Sequence, residues 1–491
     1  MKMLRWFDHL AINSYWLGIN IASGILTPIL MPALVVMFMP AEMKNTYLAT
    51  VRVIGLSVAM LFQPLAGMLS DRSTARMGRR RPFIIWGAIL NVIFLFIIGA
   101  SPSFLGADSD ANLKLMLGIT TAYGVLLIGT ILLQFSSNLG QAAVQGLMPD
   151  VVPENQRGRS SGYKSLLELL PAALVALFIG GMVDRGLIWP VIGIIMAGFV
   201  ITMLITVIFV KEEPLKQKPT GKVLEPILRI IALTAIFVGV TRGAIWLVSS
   251  SGRLLTAAGV SINTQIILVG LAGLIAMAGS IFLGVYFGAQ VGIGKDARQH
   301  MSFIWWVINR LLFLAAVGSI QGFALYFLRD VMHDPKPATT TSILMAAVAV
   351  FLMLAAVIGG YVADRVGKKR LVALAAVIAA VGAVLLIFSR NLPMLLVSGA
   401  FIGLGTGLFF AANWALGTKL VPPAEAGKYL GISNLAGAGA GIVGAGIGGP
   451  MADFFNNLQP GLGYLVIFAI YAGLFLLSIL TLVKIKEPSE N

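Results

Sequence analysis

The chain reads as an all-α protein that crosses a membrane many times, and three observations lead there. Hydrophobic residues make up 58% of its 491 residues and charged ones 11%, against about 25% charged in typical soluble domains. Apolar stretches recur from end to end, and about twenty such residues in helical form cross a hydrocarbon core of roughly 30 Å. A short charged loop between two of these stretches occurs twice. Lipid cannot hydrogen-bond free backbone groups, so the spans are expected to be helices.

Lys2 and Arg5 precede an apolar run that continues past Pro28 to about Phe38 without a small-x-small cleavage site. It is expected to be the first span, not a cleaved signal, with the N-terminus inside. Spans follow near 46–69, 83–101, 115–147, 162–183 and 188–210. The polar, basic stretch 211–222 predicts a cytoplasmic linker. Two more apolar segments lie near 226–249 and 263–291, and a last six near 302–328, 342–362, 370–389, 393–418, 428–453 and 462–483. That layout gives fourteen transmembrane helices. It divides into a six-helix bundle over 1–210, a linker with an inserted helical pair over 211–300, and a second six-helix bundle over 301–491. Starting the second half at 226 instead would break the loop repeat.

The formal charge of +15 would suit a nucleic-acid partner, but on this apolar background it is better explained by Lys and Arg collecting in cytoplasmic loops. Both termini are then expected inside, in a plasma (inner) membrane, with the lipid bilayer as surroundings and no nucleic acid. There is no cysteine, hence no disulfide, thiol catalysis or cysteine-held metal. The histidines, His9, His300 and His333, stand apart and form no metal-ligand pattern. No nucleophile-base constellation or phosphate loop is present, so neither an enzyme nor a cofactor is expected.

The first copy of the loop is Gln63-Pro64-Leu65-Ala66-Gly67-Met68-Leu69-Ser70-Asp71-Arg72, running on to Gly78-Arg79-Arg80-Arg81-Pro82-Phe83. The second is Gly360-Tyr361-Val362-Ala363-Asp364-Arg365-Val366-Gly367-Lys368-Lys369-Arg370. Each follows the second span of a set of six. A second pair of loops also matches, Pro149-Asp150-Val151-Val152-Pro153 before Arg157-Gly158-Arg159, and Leu420-Val421-Pro422-Pro423 before Gly427-Lys428. The duplicated G-x-x-x-D-R loop resembles the cytoplasmic signature of the major facilitator superfamily. The resemblance implies two parallel-repeat bundles, alternating access, and a small-molecule substrate between the halves. In that family the loop aspartate and neighbouring arginine act as a gate, which implies gating roles for Gly67, Asp71, Arg72, Gly78, Arg79 and Arg80, and for Gly360, Asp364, Arg365, Gly367 and Lys368.

Within the superfamily the first loop is most like the sucrose-carrier branch of the glycoside-cation symporters. Gln63-Pro64, the spacer Ser73-Thr74-Ala75-Arg76-Met77, Leu26-Thr27-Pro28, and Asn138 with Gln141 fit that branch. Two positions depart from it. Gln134 stands where those carriers have an acid and Gln145 where they have an arginine, so neither sucrose nor a particular coupling ion carries over. The inserted pair resembles the fourteen-helix branches, which include drug-proton antiporters, yet their glycine-rich span 5 motif is missing.

The fourth span carries Gln134, Asn138, Gln141 and Gln145, which fall within about 60° of one another at 100° per residue. Amides donate and accept without charge, as hydroxyl-rich solutes require. The first span carries Asn13, Trp16, Asn20 and Thr27, an aromatic face beside amides. Hydrogen bonding between helices is the alternative for both stripes. Ionisable groups inside spans are few and are functional candidates by default. Glu168 would be the titrating carboxylate of a proton-coupled carrier, or the partner of Lys164 four residues earlier. Arg310, near Trp306 and Gln321, is a binding or coupling candidate, and Asn413-Trp414 would line the cavity from the second half. Arg52 and Arg242 are expected near an interface, with the side chain reaching water. The run Gly437, Gly439, Gly441, Gly444, Gly446, Gly448 and Gly449 suggests close packing, with bending as the alternative.

The expected activity is secondary active transport of a small polar solute, a sugar or glycoside, with a proton or sodium ion as coupling cation and a monomeric carrier. The alternative is a multidrug or amphiphile exporter, favoured by fourteen spans and disfavoured by uncharged amides. A non-transporting sensor on a carrier fold would not require both gating loops.

Overall fold

The computed structural model describes residues 4–215, 224–293, 300–420 and 426–486, side chains at 170, 172–177, 292, 293, 364, 418 and 426–436 excepted. Among the described residues fourteen long helices account for nearly all of the chain. They are α1 (Trp6–Phe38), α2 (Lys44–Asp71), α3 (Arg81–Ala100), α4 (Thr121–Val151), α5 (Arg157–Asp184), α6 (Ile188–Phe209) and α7 (Leu224–Ala257). The rest are α8 (Ile262–Ile293), α9 (Met301–Asp330), α10 (Pro337–Val366), α11 (Lys368–Phe388), α12 (Leu392–Leu420), α13 (Ala426–Leu458) and α14 (Leu462–Leu482). Twelve of them are long and apolar enough to cross a membrane; α5 and α13, the other two, lie partly outside the described side chains. The expected all-α, fourteen-span architecture is therefore the observed one.

Proline marks the irregular points. In α1 the stretch Leu26–Leu30 opens into a π-helical turn around Pro28, because proline supplies no N–H to the ladder and its ring pushes the preceding carbonyl aside. Pro64, Pro149, Pro171 and Pro450 lie inside α2, α4, α5 and α13.

The chain forms two compact units, Met1–Met39 with Val58–Ile227, and Pro40–Ser57 with Leu228–Asn491. The start of α2 thus packs with the second unit and its end with the first. Helix pairing repeats between units. In the first, α3 packs on α4 and α6, and α1 on α5 and α6. In the second, α11 packs on α12 and α14, and α9 on α13 and α14. Each pair recurs eight helices later, not six, because α7 and α8 intervene. That pair is not a free appendage, since α8 packs on α13 and α14.

The glycines of α13 explain how one helix meets so many neighbours. A Cβ at Gly439 would strike Phe237 of α7, at Gly441 Leu56 of α2, at Gly444 Ser319 and the Ala315 carbonyl of α9, and at Gly448 the Tyr471 hydroxyl of α14. Without side chains the backbones approach, and dispersion between helices replaces the hydrophobic drive that lipid does not provide. At Gly449 a Cβ would lie 2.5 Å from both Ala49 Cβ and the Asn45 carbonyl. Gly449→Leu should therefore cost at least about 1–3 kcal/mol by overpacking, read as lower thermal stability in detergent. Leucine at Gly279, which has open space around it, should leave the melting temperature unchanged.

Candidate functional site

The first unit gathers the loop charges into one network. The Arg80 guanidinium pairs with Asp71, donates from Nε to Asp150 Oδ2 at 2.9 Å, and from Nη1 to Ser70 Oγ at 3.0 Å. Arg79 donates from Nε to Asp150 Oδ2 at 2.9 Å and pairs with the same carboxylate through Nη2. Asp150 holds the Arg79 guanidinium above its ordinary value through that hydrogen bond, with burial pulling the other way. Asp150 comes from the second loop motif, at the end of α4, so the two motifs read separately in the sequence form a single cluster.

Glu212, just past α6, completes it. Its carboxylate accepts the backbone N–H groups of Arg79 at 3.0 Å, of Arg80 at 3.0 and 2.9 Å, and of Arg81 at 3.2 Å. Those are the unpaired donors at the start of α3, where a negative charge is favoured by the helix dipole. Gly78 makes the approach possible: its φ is +102°, and any Cβ would collide with the Glu212 carboxylate. Gly67 and Gly360, by contrast, face open space. In the second loop Gly367 has φ +94°, and Lys369 donates to the Ile485 carbonyl at 2.7 Å. The Asp364 side chain lies outside the described residues, so its expected gating role has no geometry here, and the same loop supplies Arg365 and Lys368.

The amide stripe of α4 is partly open. Gln134, Gln141 and Gln145 retain exposure, while Asn138 is buried and donates to the Gln134 carbonyl at 2.7 Å and its side-chain oxygen at 3.3 Å. Gln63 of α2 donates to Gln145 Oε1 at 3.4 Å. On α1 the residues divide. Asn13 is buried and donates to the His9 carbonyl, the Ser160 carbonyl and Ser160 Oγ, which fixes α1 to α5. Trp16 is buried beneath the Lys164 ammonium, 4.2 Å from its ring centre. Asn20 keeps some exposure and donates to the Trp16 carbonyl at 2.9 Å. Lys164 also pairs with Glu168 at 3.1 Å, so the acid of α5 has a cation of its own helix beside it.

In the second unit α9 is buried nearly all round. From Trp306 to Leu328 the residues that stay partly open are Arg310, Leu314, Gly318 and Gln321, which lie within about 80° of one another on the helix. Arg310 stacks between two indoles, its guanidinium carbon 5.2 Å from the Trp414 ring centre and 5.8 Å from that of Trp306. Asn309 and Asn413 are buried behind it, joined at 3.0 Å. Arg52 is not at an interface as its sequence context suggested. Its Nη2 donates to the Gly318 carbonyl at 3.0 Å, and its Nη1 is buried without a hydrogen-bond partner. A charge left unpaired in such a setting costs several kcal/mol, while cation–π contacts return about 0.5–2 kcal/mol each.

A further acid was missed because it closes an apolar span and reads as a span end. Asp453 of α13 is buried; its Oδ1 accepts from Asn45 N at 3.2 Å and Asn45 Nδ2 at 2.8 Å, and its Oδ2 from Thr46 N at 2.7 Å. It thus caps the start of α2. Beside it Lys44 pairs with Asp330 at 2.5 Å, and the Tyr464 hydroxyl donates to the same carboxylate at 2.5 Å. No group of three metal-ligating side chains occurs among the described residues.

The family model of the Major Facilitator Superfamily matches residues 16–331 and 311–491. A general alpha-glucoside permease of Schizosaccharomyces pombe is 28% identical over 178 residues, 35% of this chain and 32% of that protein. A sucrose transport protein of Arabidopsis thaliana is 34% identical over 105 residues, 21% of this chain and 18% of its own length. A glucose transporter of Staphylococcus epidermidis is 32% identical over 111 residues, 23% and 24% of the respective lengths. The match thus spans about a third or less of each relative's length. Among solved structures, a nucleoside transporter superposes with a TM-score of 0.64 at 13% identity over 98% of this chain and 99% of that one. A D-xylose-proton symporter gives 0.62 at 15% identity over 97% of each chain. At such identities the likeness concerns the fold.

The cap supplied by Glu212 has a measurable weight. Glu212→Ala should lower stability by about 0.5–2 kcal/mol, the range for loss of a helix cap, seen as earlier thermal unfolding of purified protein. Glu213→Ala, at the exposed neighbouring position, should leave the melting temperature where it is.

Proposed function

The chain belongs to the major facilitator superfamily, as an integral membrane carrier and not an enzyme, and we propose that its cargo is a sugar or glycoside moved by alternating access with a coupling cation, proton or sodium. The observation that carries this reading is the partly open, uncharged stripe of Gln134, Gln141 and Gln145 on α4, whose amides match hydroxyl groups in both hydrogen-bonding senses. Gln321 supplies an amide and Trp414 a partly exposed apolar ring face in the second unit. The similarity to glucoside, sucrose and glucose carriers supports it. An amphiphile exporter would be expected to present a wider apolar lining instead.

The carrier is proposed to sit as a monomer in the plasma membrane with both termini in the cytoplasm. The cluster of Asp71, Arg79, Arg80, Asp150 and Glu212 then faces the cytoplasm, with Arg72 beside it. The contacts of Lys44, Asn45, Asp330, Asp453 and Tyr464 face outside. Both sets are held by charge-assisted bonds that a change of facing state would remake, and only contacts that differ between states move such an equilibrium.

Coupling by protons needs a carboxylate that can titrate. Glu168, paired with Lys164 at 3.1 Å, is proposed for that role, with Arg310 holding the solute side of the coupling. The test is uptake of labelled sugars by proteoliposomes under imposed pH or sodium gradients. Accumulation against a gradient is expected in the parent, whereas Glu168→Gln should allow downhill exchange and lose accumulation, since an amide keeps the shape but cannot titrate. Sugar-driven proton movement that persists in Glu168→Gln would remove this residue from coupling. Absence of uptake for every sugar, with dyes transported instead, would overturn the sugar reading.

A further inference from the structure

The open stripe of α9 carries cationic chemistry that a neutral sugar does not require. Arg310 stands at one end of it, and eight residues on, about 12 Å along the helix, Gly318 receives the guanidinium of Arg52. Nη1 of Arg52 rests against Gly322, where any side chain would collide with it. Two glycines one turn apart therefore form the notch that holds this cation. That Nη1 and the Nε of Arg310 are buried with no hydrogen-bond partner.

Neither guanidinium forms an ion pair among the described residues, and the described acids Asp330 and Asp453 of this unit are otherwise engaged. Asp330 takes Lys44 and the Tyr464 hydroxyl. Asp453 takes the backbone donors at the start of α2. One carbonyl and two indole faces are a poor return for desolvating two permanent charges, and cations kept inside a membrane protein without partners serve function by default.

We propose that the second unit binds an anionic group of the transported solute through Arg310, so that the cargo is an acidic sugar or glycoside, one bearing a carboxylate or a phosphate. The inference rests on the sugar-carrier reading above and narrows it. The planar fork of a guanidinium presents paired N–H donors that match either anion, and the stack of Arg310 on Trp414 leaves the edge of the fork for the ligand. The partly exposed ring of Trp414, with Phe410 one turn before it, gives the sugar ring an apolar face to lie on, and Gln321 adds an amide on the same stripe as Arg310.

The test compares matched sets in purified protein and in proteoliposomes: glucose, galactose and mannose, each against its uronate and its 6-phosphate. Binding is read by calorimetry and transport by competition. One acid of a set should bind at least about tenfold more tightly than its neutral parent, the scale expected when a charge-assisted, two-point contact is added. Whether the uronate or the phosphate shows the preference identifies the anion. In Arg310→Gln the ratio of acid to neutral affinity should fall to near one, and Arg310→Lys should restore part of it. A ratio within one sample does not depend on how much of a variant is folded. Neutral sugars that bind as well as both acids in the parent, or a ratio unchanged in Arg310→Gln, would overturn the inference and leave the sugar-carrier reading standing. Failure of all nine compounds to bind or move would overturn both.

Discussion

A charge at or inside a bilayer must find its partner within the protein, since lipid will not supply one, and that constraint organises this molecule. It is clearest along α2. At one end the backbone donors of Asn45 and Thr46 are taken by Asp453 of α13. At the other end Asp71 meets Arg80, which is shared with Asp150 of α4. The first fastening lies in the second unit and the other in the first unit. Helix α2 is therefore held by carboxylate chemistry at both ends, from different parts of the chain.

The fold was legible in the sequence because its signals are redundant. Span length, charge placement and the repeated loop each pointed to fourteen helices in two related sets, and the recurrence of helix pairs at an interval of eight shows the repeat in packing terms. Local chemistry was legible only where it is local. Arg79 and Arg80 stood out beside Asp71, but their partners Asp150 and Glu212 lie far along the chain. A carboxylate at the end of α4 and another beyond α6 look like ordinary loop acids until folding brings them to the start of α3. The amides of α1 show a different limit: Asn13 reads as a binding residue by composition, and in the fold its Nδ2 donates to Ser160 and the His9 carbonyl. Nothing in a helical stripe distinguishes a face turned to a neighbouring helix from one turned to a cavity. Arg52 was misplaced for the same reason, since its notch is made by glycines of α9.

The inserted pair follows the same logic. Helices α7 and α8 lie where an extra hairpin would otherwise meet lipid on every side, and the glycine run of α13 gives them a seat. Phe237 of α7 fills the space over Gly439 and approaches Gly284 of α8. The run thus serves α2, α7, α9 and α14 at once, and close packing rather than bending accounts for its glycines in this structure. A helix that must admit four neighbours can afford few side chains on any face.

The two units differ in how they settle their charges, and the difference bears on energetics. In the first, the acid Glu168 has Lys164 beside it, and Gln134, Gln141 and Gln145 are partly open. In the second, Arg52 and Arg310 form no ion pair among the described residues. A neutral sugar moved with one cation carries net charge across the membrane and is driven by the membrane potential, at about 2.3 kcal/mol per charge for each 100 mV. An acidic sugar moved with one cation carries none, and the ion gradient alone supplies the drive. On the proposed reading Arg310, by selecting an acidic solute, would decide whether a given cation stoichiometry makes transport sensitive to voltage.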